Sequence, residues 1–368
     1  MEKRFQDIYT EVLTQVNTTE TSEDTTVLDS IKLRINQIQS WLVYRKPYEW
    51  RKRPFYMGAI PPDEITVTIT QGSKSVTVDS GSVSAYGPFG YLLISNIAYK
   101  IDPHTAISST FRLMAAFPKT SVAAQSAKII YPVMVADTDM AAPVSVRIEG
   151  VEKNLLNTQR VAGSKNQTGT PYDFYVAGVA DFDFYSTGTA GVTQDSKSVT
   201  GSGTAFSALM EGMPFRIDEF SVPYFINTRV SDEAITLREK YQGATGSGKT
   251  YKVSPIGSLL IGMSPAPDAR YFIEIEGLIK PRTLVRPNDV SILPDHTPLL
   301  YGAIYLALLD REDKNPVRIQ QAKADFEDSI RQFDDVYKPI ADQKWISAEE
   351  ISSRKWGSTM FDPLRRGH

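Results

Sequence analysis

The chain has 368 residues, with 40 Lys and Arg against 43 Asp and Glu, a formal net charge of −3 and no cysteine. This length allows two or three domains, and the balanced charge indicates neither a nucleic-acid-binding protein nor an acidic disordered tail. The lack of cysteine excludes disulfides, thiolate metal sites and a cysteine nucleophile, and no apolar run approaches the roughly 20 residues that a membrane-spanning helix needs.

Two helices are predicted at the start of the chain. Residues 2–16 place their apolar side chains on one helical face, in a pattern unlike that of a signal peptide. After a polar break, a second helix is predicted from Val27 to Tyr44, where Thr26 and Asp29 offer a capping box.

The next segment, YRKPYEWRKRPFY at 44–56, mixes cations with aromatic rings, and its prolines end the helix. Three interpretations stay open: aromatic side chains that pack on the helices while the cations remain solvated, a protein interface, or contact with nucleic acid through cations and stacked rings. The candidate contact residues towards a neighbouring subunit or a lumen are Arg45, Tyr48, Trp50, Arg51 and Arg53.

From about residue 63 the sequence changes to short alternating runs separated by turn residues, which predicts antiparallel β-structure. It also contains an internal repeat. Three matches occur in the same order: TQGSKSVT at 70–77 with TQDSKSVT at 193–200, STFRLMAAF at 109–117 with EAITLREKY at 233–241, and RIEGVEK at 147–153 with EIEGLIK at 274–280. We therefore predict two tandem copies of one β-domain, at 64–155 and 188–283, joined by a segment at 156–187 that suits a strand pair.

Two more helices are predicted after the repeat. Thr297 and Pro298 give a start signal for a helix that ends near Asp310, and Asn315 and Pro316 repeat this signal for a helix that ends near Tyr337. The predicted organisation lists residues 1–60 as N-terminal helices and the basic-aromatic loop, 284–340 as C-terminal helices that complete a bundle, and 341–368 as a tail. The fold class is α+β, with the two duplicated β-domains inserted between the helical ends.

A phosphate-loop pattern occurs at 243–250, where Gly243, Gly248, Lys249 and Thr250 match G-x-x-x-x-G-K-[ST]. Such a loop needs a helix after it, but the following residues alternate like a strand and stop at Pro255. The corresponding part of the first copy, PKTSVAAQSAK at 118–128, has no glycine. We therefore interpret the match as the tip of a β-hairpin, and expect no nucleotide.

Other catalytic signals are weak. The three histidines, His104, His296 and His368, are far apart in sequence, and Asp137 and Asp139 form an isolated D-x-D of a kind common in loops. No nucleophile elbow occurs. Paired carboxylates brought together by the fold remain open, although nothing points to them. We expect no catalytic residues, no cofactor and no metal.

Three stretches resemble a known family. LDSIKLRINQIQSWLVYRKPYEW at 28–50 resembles an N-terminal helix followed by a Trp-containing break. SKSVTGSGTAFSALMEGMPFRI at 196–217, with ITLREKYQGATGSGKTYKV downstream, resembles a β insertion, and the region 280–330 resembles closing helices. In these three stretches and in their order, the chain resembles the head-to-tail adaptor, or connector, proteins of short-tailed bacteriophages. The second β-domain departs from that pattern and leaves its own role open.

The resemblance implies a structural protein of the virion rather than an enzyme. About a dozen copies would form a ring below the portal, in the host cytoplasm during assembly and then at the head–tail junction, with tail or nozzle proteins and possible fibres as further partners and no membrane. Genomic DNA would pass through without specific binding. The expected contacts with the portal or another neighbour lie in the tail, at Trp345, Arg354, Trp356, Arg365 and Arg366.

Two other classes stay open at this point. One is a baseplate, fibre-attachment or receptor-binding protein of a virion, whose helical ends would serve trimerisation or anchoring. The other is an enzyme, either an NTPase that uses residues 243–250 or a glycan hydrolase.

Overall fold

The computed structural model describes residues 3–16, 25–81, 83, 90–102, 109–156, 167–181, 185–207, 210–217, 223–310 and 315–337. Within these ranges the fold is mixed α+β, as predicted at the level of class, with four α-helices and three curled sheets that are mainly antiparallel. The chain divides into two compact units, one from Met1–Arg53 with Leu278–His368 and the other from Pro54–Gly277. None of the helices in the described ranges has the length and apolar character to cross a membrane.

The first unit contains the helices, which are α1 (Phe5–Gln15), α2 (Thr25–Arg45), α3 (Thr297–Asp310) and α4 (Pro316–Val336). Helix α3 packs against the other three, and ten of its fourteen residues are buried. A helix that is apolar on all sides needs neighbours on all sides, so α3 forms the centre of this unit. Its Gly302 lies against Ile38 of α2 and Phe326 of α4.

Of the three helix caps predicted from the sequence, the structure confirms one. Asn315 caps α4 by accepting hydrogen bonds from the N–H groups of Val317 and Arg318, with Pro316 in the first turn as predicted. The predicted cap at Thr297 is wrong by one position, because α3 already begins at Thr297 and the carbonyl of His296 accepts from Leu300. Thr297 donates its hydroxyl to Asp295 at 2.7 Å. Helix α2 begins at Thr25, before the predicted cap at Thr26. Runs of Thr and Asp offer several equivalent caps, so local chemistry does not select one.

The described structure also contains a 3-10 turn at Glu49–Arg51 and twenty strands, joined by turns and loops. The strands are β1 (Lys52–Gly58), β2 (Asp63–Ile69), β3 (Ser75–Gly81), β4 (Tyr91–Ile94), β5 (Ile97–Lys100), β6 (Thr110–Arg112), β7 (Val122–Ile130), β8 (Val133–Val135), β9 (Met140–Ile148), β10 (Val151–Leu156), β11 (Asp173–Val179), β12 (Thr189–Val192), β13 (Ser198–Ser202), β14 (Pro214–Ile217), β15 (Tyr224–Ser231), β16 (Ala234–Leu237), β17 (Gly246–Lys249), β18 (Tyr251–Val253), β19 (Leu259–Ser264) and β20 (Phe272–Ile279).

Two of the sheets have the same strand connectivity. The first has the order β5-β4-β7-β2-β3-β6, and a bridge between Ile101 and Leu113 links the chain just beyond its two edge strands. The second has the order β17-β12-β13-β16-β15-β14-β18, and its two edge strands are separated along the chain only by Thr250. When β17 and β18 are taken as the counterpart of β7, each pairing in the first sheet has an equivalent in the second.

The repeated turn makes the same backbone hydrogen bonds in both sheets. In the first, Phe117 donates its N–H to the carbonyl of Ser73 at 2.8 Å and accepts from Gly72. In the second, Tyr241 donates to Ser196 at 2.8 Å and accepts from Asp195. The sequence matches at 70–77 and 109–117 thus correspond to equivalent structure at 193–200 and 233–241.

The third match does not correspond to equivalent structure. Glu149 and Gly150 form the turn between β9 and β10, with φ of +51° and +78°, whereas Glu276 and Gly277 lie within β20. These strands belong to the third sheet, whose order is β1-β20-β9-β10-β11-β19-β8 and whose β10 and β11 run parallel. This sheet takes strands from both predicted copies and from the segment between them.

The predicted hairpin around residues 241–253 is wrong. Strand β16 pairs with β13 and β15, while β17 pairs with β12 and β18 with β14. A glycine-rich stretch between two alternating runs indicates a hairpin locally. Here the first run forms a hairpin with the preceding strand β15 instead, and the strands after the first glycine pair with β12 and β14. Between residues 157 and 187, the described residues form one strand, β11, and two isolated bridges, from Thr168 to Ala266 and from Tyr185 to Val253.

Candidate functional site

The basic and aromatic segment 44–56 begins at the end of α2 and continues through the 3-10 turn into β1. Its first ten residues, 44–53, belong to the helical unit. Tyr48 is completely buried and Arg51 is 4% exposed, so the segment forms part of the core of that unit.

Asp334, near the end of α4, collects three donors from the segment. Tyr48 donates its hydroxyl to Asp334 Oδ1 at 2.7 Å. Arg45 and Lys46 each form an ion pair with Asp334 Oδ2 at 2.8 Å. Since one carboxylate accepts from all three, the chain that leaves α2 is fixed to the last turn of α4. We call these four side chains the Asp334 cluster.

The electrostatics of the Asp334 cluster hold the carboxylate ionised. Burial alone would raise the pKa of Asp334, but the hydrogen bonds from Lys46 and Tyr48 and the positive charges of Arg45 and Lys46 outweigh it, so this pKa lies below its usual value. Burial, and then the hydrogen bond to Asp334, raise the pKa of Tyr48 well above that of an exposed tyrosine. The phenol therefore stays a neutral donor.

Two aromatic rings of the segment, Tyr48 and Trp50, pack on α4. Tyr48 and Trp50 stack with ring centroids 5.9 Å apart. The Phe333 ring forms T-shaped pairs with Tyr48 at 5.4 Å and Trp50 at 6.3 Å, and its centroid also lies 4.8 Å from that of Tyr337. Such pairs add to the apolar burial of the unit.

Arg51 satisfies backbone carbonyls inside the unit. Its Nη1 donates to the carbonyl of Val43 at 2.7 Å, and its Nε and Nη2 donate to the carbonyl of Ile279 at 3.1 and 3.0 Å. The guanidinium also lies over the ring of Tyr44 at 5.5 Å. The planar guanidinium holds its donors in fixed directions towards both carbonyls, whereas a lysine ammonium is a compact point charge on a flexible stem.

These contacts bear on the three interpretations of the segment. Tyr48 and Trp50 pack on helix α4, as the first interpretation expects. Tyr56 instead stacks on Phe272 of β20. Arg51 is buried, whereas the first interpretation expects solvated cations. Arg45 and Lys46 are paired with Asp334, and Lys52 with Glu49 at 2.9 Å. Arg53 is exposed. A surface that grips phosphate needs several available cations, so the geometry favours a structural or protein-contact role over binding of nucleic acid.

The phosphate-loop pattern lacks the geometry of a phosphate site. Gly246 to Lys249 form strand β17, which pairs with β12, and the residues after Thr250 form strand β18 instead of a helix. The backbone N–H groups of a helix N-terminus, on which phosphate binding depends, are therefore missing after this motif.

The D-x-D pair binds an arginine. Arg238 donates from Nη2 to Asp137 at 2.5 Å and from Nη1 to Asp139 at 3.1 Å. The two carboxylates are 17% and 15% exposed, and the guanidinium also lies over the ring of Phe225 at 5.8 Å. Arg238 thus bridges two carboxylates and joins the turn before β9 to the chain after β16, which indicates a structural role.

The described residues contain no group of three or more His, Asp or Glu that could hold a metal ion. His296 directly precedes α3, and its carbonyl accepts from Leu300 at 2.9 Å. His104 and His368 lie outside the described residues. The predicted tail contacts lie outside them too, namely Trp345, Arg354, Trp356, Arg365 and Arg366.

Sequence reasoning missed the residues that organise these clusters. Asp334 lies 286 positions after Tyr48, and Arg238 lies 101 positions after Asp137. Neither has a local signal, because an acidic residue on a helix surface or a basic residue after a strand is ordinary. Comparison with protein-family models finds no family that matches this chain, and comparison with curated proteins finds no matching relative.

Proposed function

We propose that this chain is a structural virion protein, a head-to-tail adaptor that forms a ring, joins the phage portal to the tail and lines the DNA passage. In this proposal the helices form a bundle that is the body of the ring, and two duplicated β-domains are inserted into it. The observation that carries the proposal is that one compact unit combines both ends of the chain, Met1–Arg53 and Leu278–His368, while the strands lie between them. This is the organisation that the resemblance to connector proteins implies.

The duplication is supported by topology as well as by sequence. The two sheets share their strand pairings and the hydrogen bonds of one turn. An alternating sequence pattern alone would not produce this agreement. In an adaptor, a second β-domain would offer an additional attachment surface for tail proteins or fibres.

The charge distribution also suits a DNA passage. The chain carries nearly equal numbers of basic and acidic residues, and the cations of Arg45, Lys46 and Arg51 are used inside the helical unit. A wall without dense free cations lets DNA slide, whereas dense Lys and Arg would hold its phosphates.

The decisive experiment measures the mass of the complex formed when the purified chain is mixed with the portal ring from the same genome. We expect the portal to gain about one copy of this chain per portal subunit, since symmetric rings assemble by repeating one contact. Absence of binding, with the chain alone a stable trimer or hexamer, would contradict the proposal and favour a baseplate or fibre component.

The portal contact itself is assigned to the tail, so a chain truncated after Tyr337 should lose portal binding. Its thermal unfolding should match that of the full chain, because the Asp334 cluster and α4 precede the cut. A full chain with Trp345→Ala and Trp356→Ala serves as the milder test. Unchanged portal binding in both would remove the tail from the interface.

A further inference from the structure

We call the second compact unit, Pro54–Gly277, the β unit. Two of its aromatic rings stack on each other in solvent. Tyr56 of β1 and Phe272 of β20 have ring centroids 5.2 Å apart and planes inclined by 22°. They are 58% and 60% exposed, although the residues beside them, Phe55, Met57 and Ile273, are buried. Because buried and exposed residues alternate along β1 and β20, both rings lie on the outward face of the third sheet. There they form a small exposed apolar patch of the kind that can bind another protein.

The same face is acidic. Glu274 and Glu276 follow Phe272 at alternate positions of β20 and are half-buried. Next to them, Arg147 of β9 lies 4.0 Å from Glu274 and stands in register with Glu152 of β10. Among these side chains of β20, β9 and β10, three carboxylates stand against one guanidinium. We call the surface formed by Tyr56, Phe272, Glu274, Glu276 and Glu152 the acidic aromatic face.

This face lies at the edge of its sheet. Among the described strands, β1 pairs only with β20. Pro54 lies within β1, as is typical of edge strands because proline removes a ladder donor. The aromatic pair therefore lies on an edge strand of the third sheet and its neighbour.

The chain itself contains a segment of complementary chemistry. Residues 351–368 carry four basic side chains, Arg354, Lys355, Arg365 and Arg366, against one acidic side chain, Asp362. They also carry Trp356, directly after Lys355. Arg and Trp are the residues that most often anchor protein interfaces, and the 31 positions after Tyr337 are enough to span up to about 100 Å when extended.

We propose that the acidic aromatic face binds residues 351–368 of a second copy of this chain, with Trp356 on the Tyr56–Phe272 pair and Arg354 and Lys355 facing the glutamates. Nucleic acid is disfavoured as the occupant because the face is negative. Some of these tail side chains are also the assigned portal contacts. The face would therefore hold the tail in copies that have not met a portal, and the test uses the full chain alone.

The first experiment locates the tail by photo-crosslinking. Trp356 is replaced by p-benzoylphenylalanine in the full chain, and copies in ordinary and ¹⁵N-labelled form are mixed before irradiation. We expect crosslinks that join one isotopic form to the other. Their attachment sites should lie within residues 54–58 or 271–276. Crosslinks to other parts of the chain, crosslinks confined to one isotopic form, or no crosslinks would overturn the proposal.

The second experiment measures self-association by sedimentation at increasing protein concentration. Tyr56→Ser with Phe272→Ser should weaken association at least about tenfold, the effect of losing about 1.4 kcal/mol of contact energy. Tyr172→Ser is the matched control, because Tyr172 is also an exposed tyrosine of this unit, at 52%, but lies outside the face. Equal association of all three proteins would overturn the proposal.

Charge reversal tests the same contact without removing apolar surface. Glu274→Lys with Glu276→Lys should weaken association, and Arg354→Glu with Lys355→Glu in the same chain should restore it, since opposite charges again face each other. A lack of restoration would contradict the assigned pairing. Portal binding is measured separately, so failure of this proposal and failure of the adaptor function give different results.

Discussion

Asp195 stands in the second curled sheet where Gly72 stands in the first, and both adopt a left-handed backbone, with φ of +60° and +78°. Each donates its N–H to the carbonyl of a buried aromatic residue, Tyr241 or Phe117. The left-handed region is open to glycine and tolerated by Asp and Asn, but costly for other residues. The two repeats differ at this turn position, with Gly in one and Asp in the other. Both residue types tolerate the left-handed conformation that the turn needs.

This conformation predicts that Gly72→Ala destabilises the β unit by about 1–2 kcal/mol. A Cβ at Gly72 would meet no atom within 4 Å, so only backbone strain is introduced. Gly58→Ala is the matched control, since it has equally open space and no left-handed φ, and it should be neutral or slightly stabilising. Urea unfolding measures both, and equal effects would contradict the strain argument.

Loss of the carboxylate in the Asp334 cluster should destabilise the helical unit. Asp334→Asn removes the charge that Arg45, Lys46 and Tyr48 share, and we expect a loss of about 1–3 kcal/mol at pH 7 in chemical unfolding. Asp328→Asn, on the same helix, is the control. Its side chain is 64% exposed and pairs only at the surface with Arg331, so its effect should stay below about 1 kcal/mol.

The same cluster predicts a pH dependence. The folded-state pKa of Asp334 lies below its usual value, so its stabilising contribution is fully present above the unfolded pKa of about 3.9. It is lost as the pH falls through the folded-state pKa. The difference in unfolding free energy between pH 7 and pH 3 should therefore be smaller in Asp334→Asn than in the unchanged chain. An equal difference would show that Asp334 does not titrate in this range.

The sequence predicted the features that depend on local patterns. The four helices follow from apolar spacing, and the cap of α4 follows from Asn315 and Pro316. Two repeat matches led to the equivalent turns. The hairpin at 241–253 was wrong because alternation and glycine say where a strand ends, but not which distant strand becomes its neighbour.

The candidate site was located but not explained. Segment 44–56 was conspicuous for its rings and cations, yet the partner that organises it, Asp334, is separated from Tyr48 by most of the chain. The burial of Arg51 was also unpredictable, because it depends on the carbonyl of Ile279, which only the fold brings near. Contacts over such separations leave no trace in one sequence.

Close packing at the centre of the helical unit predicts that Gly302→Ala is destabilising, although alanine is the better helix former by about 1 kcal/mol. The added methyl group would lie 2.7 Å from Phe326 Cε2 and 2.9 Å from Ile38 Cγ2. We expect a net loss of about 1–3 kcal/mol in the free energy of unfolding. Phe326→Leu in the same chain should make the loss smaller than the sum of the two single effects. Strict additivity would contradict the proposed clash.

The phosphate-loop pattern gives a last prediction, that Lys249→Ala leaves assembly with the portal unchanged. Lys249 ends strand β17, and the chain continues as a strand where a nucleotide site would need a helix. A ligand at one hundred times its dissociation constant stabilises a protein by about 2.7 kcal/mol. Millimolar Mg–ATP should therefore leave the melting temperature of the unchanged chain where it is. A rise that disappears in Lys249→Ala, together with loss of assembly, would instead assign the motif to an NTPase.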